Sequence, residues 1–314
     1  MNRRRKQRLR ARRRRKILLR RMILCLFFLI IVAIAIFIWK ISRPDDTPEQ
    51  TSTANTQDIS MNTADSDAKE VDAEETSTDV RTVKNTATEE HHKTNGLAIC
   101  MYHYVYDKDN PPDEINNNFI EVHALEEELK YLVDNEYYFP TWEEVRQFVD
   151  GELLLPEKSV VLTFDDGAKS FLELGAPLFD KYKIPVTSFL ITNKEGEEKV
   201  SQYASDYVTF QSHSHNMHRA GGNIGHGGIF PVMEHSEAVA DLQKSIEICK
   251  NGDAFAYPYG DYTDSCVLAV EEAGFLCAVT TEYGRTNPGD DPLLLPRVRM
   301  LEGQSLESFI NLVE

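Results

Sequence analysis

Residues 96–314 predict an α/β domain of parallel strands, preceded by one membrane-spanning helix and a disordered linker. Three observations carry that reading. Short apolar runs alternate with helix-period patterns after residue 96, eighteen uninterrupted apolar residues stand at Met22–Trp39, and the stretch between them contains no aromatic residue.

The chain has 314 residues, with 34 Lys and Arg against 51 Asp and Glu, but the charge is unevenly placed. Thirteen of the bases lie between Arg3 and Arg21 with no acid among them, which leaves a formal charge of −30 beyond residue 21. A surface that acidic repels phosphate backbones, so no nucleic-acid partner is expected. The cationic cluster instead orients the apolar run that follows it. At about 1.5 Å of rise per residue that run nearly spans a hydrocarbon core of roughly 30 Å. Its cations are expected to stay in the cytoplasm while the rest of the chain is exported. Small residues at a cleavage spacing are missing around Ile38–Ile41, which favours a retained anchor over a cleaved signal. The expected organisation is a basic cytoplasmic tail at 1–21, a transmembrane helix at 22–40, a disordered acidic extracellular linker at 41–95 and a globular domain at 96–314.

Within that domain Leu97–Tyr102 reads as the first strand. A helix follows at Glu121–Val133, where Leu125, Leu129 and Leu132 share one face, and another starts at Thr141, whose TxxE pattern with Glu144 is a capping box. Strands are expected at Ser159–Phe164, Val186–Ile191, Tyr207–Gln211, Ala254–Ala256 and Phe275–Thr280, and helices at Lys169–Tyr182, Met233–Lys250 and Tyr262–Ala273. The glycine-rich stretch Ala220–Ile229 reads as a surface loop. Cys100, Cys249, Cys266 and Cys277 each sit in an apolar pattern with no CxxC pair, so they read as buried small side chains, and Cys25 falls in the membrane helix.

Polar residues stand at the strand ends: His103 after the first, Asp165 and Asp166 after SVVLTF, His213 after YVTFQS, Tyr259 after AFAYP, and Arg297 after the LLLP run. In a parallel barrel these ends meet on one face, and that face carries the chemistry. One carboxylate with two imidazoles makes a site for a divalent ion such as zinc. Asp166 with His213 and His218 supplies such a set, and a pairing of His213 with His215 on one face of an extended stretch is the alternative. Two adjacent carboxylates repel unless a cation relieves one of them, so Asp165 and Asp166 are expected to differ in role, one a ligand and the other a proton acceptor. A tight turn capping the next helix explains Asp-Asp-Gly by itself, but not the histidine cluster.

The motifs TFDDG (Thr163–Gly167), HSHNMH (His213–His218) and FAYPYG (Phe255–Gly260), in that order, resemble the polysaccharide deacetylases, the NodB-homology domains of carbohydrate esterase family 4. The MYHYV opening and the PGDDPLLLPRVRM stretch resemble the branch containing the poly-β-1,6-N-acetylglucosamine deacetylases, with segments circularly permuted relative to other members. The resemblance implies a distorted (β/α) barrel and metal-dependent hydrolysis of N-acetyl groups on GlcNAc units of a surface polysaccharide, either poly-N-acetylglucosamine or peptidoglycan. It makes Asp165 the base and Asp166, His213 and His218 the ligands of one divalent ion, zinc first, with cobalt, nickel or iron also compatible. It turns the Tyr259 N–H towards the developing oxyanion, and it leaves Tyr257 and Tyr259 to stack on sugar rings.

Two departures from the family pattern stand out. The third motif holds Ala254 and Ala256 where the family carries an Arg that steadies the base, which makes Arg297 the replacement. After His235 the chain has no histidine to act as the acid, which makes His103 the candidate. A noncatalytic carbohydrate-binding protein of the same fold is the rival that these departures motivate. His91, His92, His123, His226 and His235 are expected to face solvent, His226 within reach of substrate.

Overall fold

The computed structural model describes residue 92 and residues 95–314. The segments expected to form the basic tail, the membrane helix and all but the end of the linker lie outside the described residues, and among those described no helix is long and apolar enough to cross a membrane.

The chain enters through strand β1 (Ala98–Tyr102), then forms a parallel ribbon of β2 (Tyr104–Tyr106) and β3 (Phe119–Glu121). Helices α1 (Val122–Asp134) and α2 (Trp142–Asp150) lead to β4 (Val160–Phe164), and α3 (Ala176–Tyr182) leads to β5 (Val186–Leu190). Helix α4 (Gly196–Tyr203) precedes β6 (Val208–Ser212), α5 (His235–Cys249) precedes β7 (Ala254–Ala256), and α6 (Asp264–Ala273) precedes β8 (Cys277–Tyr283). Strand β9 (Leu295–Arg299) and helix α7 (Leu306–Val313) complete the order. β1, β4, β5, β6, β7, β8 and β9 close into a parallel barrel, with β9 pairing back onto β1.

Every residue of β1, β4 and β5 is buried, which explains why β1 and β4 read as near-continuous apolar runs rather than alternating ones. Alternate residues enter different clusters. Ile99, Val161, Phe189, Ala254, Ala256, Val279 and Leu295 pack with one another in the barrel interior. Ala98, Cys100, Val160 and Leu162 join Leu125 and Leu129 of α1, Phe179 of α3 and Phe309 of α7 outside it. Phe255 and Ala278 do the same against Leu242 of α5 and Val270 of α6. The interior is closed below by α2. Its Trp142, Val145 and Phe148 pack into the inner cluster, and the Trp142 indole donates to Thr187 Oγ1 at 3.0 Å. The expected capping box between Thr141 and Glu144 starts this helix, and Gly151 ends it in the left-handed conformation (φ 76).

Between β6 and β7 the ladder shrinks to one pair, Ser212 with Phe255. Two side chains bridge the gap. Gln211 Oε1 accepts from the Ala254 N–H at 3.0 Å, and His213 Nδ1 donates to the Ala256 carbonyl at 2.8 Å. Backbone groups that a regular sheet would pair are thereby satisfied by side chains.

The structure differs from the sequence reading in several places. The single helix expected over Lys169–Tyr182 is a π-helical turn at Phe171–Gly175 followed by α3, because Pro177 has no N–H for a regular ladder. Strand β8 starts two residues later than expected and runs to Tyr283, past a register irregularity against β9. β9 continues through Pro296, so Arg297 lies inside a strand rather than beyond an apolar run; the irregular pairing with β8 accommodates the missing proline N–H. The β2–β3 ribbon and α4 were not foreseen, since each carries too few apolar residues to show a period. His92, expected to face solvent, is half-buried in a bridge to Pro156. The four described cysteines are buried thiols outside any disulfide, as expected.

Trp142 is 6% exposed and closes one end of the barrel. Trp142→Ala is therefore expected to lower unfolding stability by about 3–5 kcal/mol, measured by urea denaturation.

Candidate active site

The interior parity of β4 carries Thr163 and Asp165 into the barrel above the apolar layer, and that of β9 carries Arg297 to the same level. Arg297 is 1% exposed. Its Nη1 and Nη2 donate to the two oxygens of Asp165 at 2.7 and 2.6 Å, Nη1 also donates to Thr163 Oγ1 at 3.1 Å, and Nε donates to the Thr280 carbonyl at 3.0 Å. Thr163 in turn donates to the Cys100 carbonyl at 2.6 Å. Burial of a guanidinium is offset only when its donors are taken up in this way. Burial pushes the Asp165 carboxyl up, but the charge and paired hydrogen bonds of Arg297 outweigh it and hold the group well below the usual carboxylate range.

After Asp165 the chain turns through left-handed geometry at Asp166 (φ 72) and Gly167 (φ 59). A Cβ on Gly167 would fall 2.4 Å from Leu190 Cδ1, so glycine is required there. The turn lets neighbouring carboxylates serve different centres. Asp166 Oδ1 stands 3.6 Å from His213 Nε2 and 3.4 Å from His218 Nε2, and the three ligand atoms all lie within 4.8 Å of one another.

The protonation of this trio fits a cation. The Ala256 carbonyl can only accept, so His213 donates from Nδ1 and turns Nε2 to the centre. Burial and the adjacent His213 push the His218 imidazole down to about 4, which leaves it neutral near pH 7. Two imidazole nitrogens and a carboxylate oxygen facing one point fit the donor set of a divalent ion. The loop bearing them is held from below: the carboxylate of Asp241 on α5 accepts from the N–H groups of His215 and Asn216, both at 2.8 Å. His215, the alternative ligand, turns away and pairs its Nδ1 with Thr192 Oγ1 at 3.0 Å.

His103 Nε2 lies 4.0 Å from Asp165 Oδ2. Burial lowers the His103 pKa, only partly countered by Asp165 and Asp166. Tyr259 adopts φ 59, ψ 0, which breaks the local helical turn, and its ring stacks on His218 at 4.5 Å between centroids. Tyr257 is 1% exposed and donates to the Leu293 carbonyl, so the expectation that it stacks on sugar is corrected: its ring belongs to the core against α5 and α6. His123 and His226 are exposed; His235 is half-exposed and pairs with Glu272 at 2.8 Å. His226 sits on the glycine-rich loop, whose N–H groups at His226 and Gly228 are held by the buried carboxylate of Asp261.

Several contributors went unread in the sequence. Tyr104 donates to Asp166 Oδ2 at 2.6 Å, and burial together with that carboxylate keeps its hydroxyl protonated by pushing its pKa up. Thr163, Asp241 and Asp261 also organise the site. Tyr104 stands in the quoted MYHYV motif and Thr163 in TFDDG, so both had a positional signal, whereas Asp241 looks like any charge on a helix.

A parallel barrel that gathers Asp-Asp, two histidines and a buried Arg at its strand ends is similar to the polysaccharide N-deacetylases, hydrolases of amide bonds. Residues 154–278 match the family described as polysaccharide deacetylase. The match contains Asp165, Asp166, His213, His218 and Tyr259, and it leaves His103 and Arg297 outside its bounds. A poly-beta-1,6-N-acetyl-D-glucosamine N-deacetylase of Staphylococcus aureus (strain MRSA252) is 28% identical over 238 residues, covering 70% of this chain and 78% of the relative. Two solved structures share the fold. The Streptococcus pyogenes deacetylase PplD, in complex with acetate, superposes with a TM-score of 0.59 at 24% identity, over 70% of this chain and 98% of that one. IcaB from Ammonifex degensii gives 0.58 at 23% identity, over 71% and 99%.

Asp165 ionises more readily folded than unfolded, so its pairing adds stability that is complete above about pH 4 and is lost as pH falls through the folded value. Arg297→Met removes that pairing and leaves a buried carboxyl. The variant is expected to lose about 3–5 kcal/mol at pH 7, and chemical denaturation at pH 7 and pH 3 should show the gap from wild type narrowing on the acid side.

Proposed function

We propose that this protein is a membrane-anchored, extracellular, metal-dependent N-deacetylase of poly-N-acetylglucosamine, with peptidoglycan the second substrate to test. The observation that carries the metal dependence is the convergence of Asp166, His213 and His218 within 4.8 Å, beside an Asp165 that ligates nothing in the trio and is held by Arg297. A divalent ion bound by the trio supplies positive charge that polarises the substrate amide and makes nearby water more acidic.

The remaining chemistry belongs to the chain. Asp165 stays ionised because of Arg297 and accepts the proton of the attacking water. A carboxylate with so low a pKa is a weak base, and a cation held by Asp166, His213 and His218 would supply the more acidic water it requires. His103, 4.0 Å from Asp165 Oδ2, takes up the proton that Asp165 removed from the water and delivers it to the leaving amine. The Tyr259 N–H, presented by a left-handed residue, donates to the oxyanion as it forms. Arg297 and His103 beside Asp165 answer the two departures that motivated a noncatalytic reading. The relative from Staphylococcus aureus, named for poly-beta-1,6-N-acetyl-D-glucosamine, supports the choice of polymer.

The anchor and orientation rest on the sequence: a basic tail at 1–21, the apolar helix at 22–40 and an acidic tether at 41–95. The chain expressed in a bacterium is expected in the membrane fraction, with its domain cleaved by protease added outside the cell; protection of that domain would reverse the orientation.

Incubated with β-1,6- and β-1,4-linked GlcNAc oligomers, the protein is expected to release acetate faster from the former, read by mass spectrometry. Chelation should stop the release and added zinc restore it. Asp165→Asn and His103→Ala are each expected to lower kcat by about 10²–10⁴-fold while zinc uptake persists. Acetate release undiminished by chelator, or by Asp165→Asn, would overturn the mechanism.

A further inference from the structure

Asp166 presents two oxygens of different circumstance. Oδ1 faces the two histidine nitrogens, whereas Oδ2 is taken by the Tyr104 hydroxyl at 2.6 Å. A carboxylate can grip a cation with one oxygen or with both, and the choice fixes how many positions remain for water and substrate. A hydrogen bond of this length to one oxygen opposes the second mode.

Tyr104 does not reach Asp166 from the barrel. It opens β2, immediately after His103, and the ribbon holds it in place. Its N–H donates to the Asn118 carbonyl at 3.0 Å, its ring packs on Phe119 with centroids 5.1 Å apart, and Asn118 is tied to the barrel by a hydrogen bond from Arg299. Val105 of the same strand is 1% exposed and Ile120 of β3 is 5% exposed, both in the core cluster against α1. The ribbon is thus a rigid bracket, and the only side chain it sends to the trio among the described residues is the Tyr104 phenol.

We propose that Tyr104 is the positioning residue of the metal centre: its hydroxyl occupies Asp166 Oδ2 and restricts Asp166 to a single ligating oxygen, leaving coordination positions open for substrate. This rests on the reading of Asp166, His213 and His218 as a cation site. It assigns the β2–β3 ribbon a purpose beyond covering the barrel, and it couples the bracket that carries Tyr104 to His103 next to it in the chain. Free of the phenol, Asp166 could rotate, and its ligating oxygen would no longer be held towards the histidine nitrogens.

Tyr104→Phe keeps the ring on Phe119 and deletes only the donor. Tyr106→Phe is the control, because Tyr106 shares the ribbon and the Phe119 contact but sends its hydroxyl to Glu302 at 3.2 Å. Full chains stripped of metal would be titrated with zinc against a chromophoric chelator, and loaded with cobalt(II) for visible spectra. Tyr104→Phe is expected to weaken zinc binding by about 10- to 100-fold and to change the cobalt d–d bands, with Tyr106→Phe matching wild type in both. Zinc affinity within twofold of wild type and an unchanged cobalt spectrum would overturn the proposal. If metal-free Tyr104→Phe melts early, the cobalt spectrum of its folded fraction decides, a wild-type spectrum counting against. A wild-type chain that takes up no zinc removable by Asp166→Asn would instead defeat the cation site itself.

Discussion

The buried pair between Arg297 and Asp165 is the interaction on which the upper half of the barrel depends. Through Thr163 and the carbonyls of Cys100 and Thr280 it connects β1, β4, β8 and β9, the last of which closes the ring. An apolar pair of similar shape would take a donor from the Thr280 carbonyl and from Thr163 Oγ1. The same contact decides the chemistry. It pins one carboxylate in an ionised state and a fixed orientation, and it leaves the neighbouring carboxylate to a different set of partners.

That division is enforced by backbone geometry. Asp165 is the last residue with the strand's interior parity, and Asp166 is the first in left-handed geometry, so one is directed to the guanidinium and the other to the imidazoles. His213 belongs to both the ligand trio and the stitching of the sheet. Its Nδ1 proton closes the gap between β6 and β7 while its Nε2 faces Asp166, so the ring cannot turn without releasing the Ala256 carbonyl. Which His213 nitrogen faces Asp166 is a by-product of how the barrel is held together.

Much of this could be read in the chain. TFDDG, the His213–His218 run and FAYPYG each follow an apolar run, and the convergence of strand ends brings them together without any tertiary knowledge. The capping box at Thr141 and the buried cysteines were legible for similarly local reasons. What escaped was what depends on pairing across strands. Pro296 looked like the end of a strand because its tolerance arises from an irregularity in β8, which no local pattern reveals. Tyr104, Gln211 and Asp241 act through groups that are distant in sequence, and Tyr257 looked like a sugar platform until the helices packed over it.

A closed ring of parallel strands has no first stave. β1 and β9 are neighbours across the seam, with Cys100 opposite Val298 and Met101 opposite Arg299, so His103 and Arg297 approach Asp165 from opposite ends of the domain's sequence. Where the polypeptide is cut to make its termini changes the order in which motifs are spelled but not the circle in which they stand. Evolution can therefore re-punctuate such a domain, moving an acid or a clamp from tail to head, while the chemistry at the rim never learns of the edit.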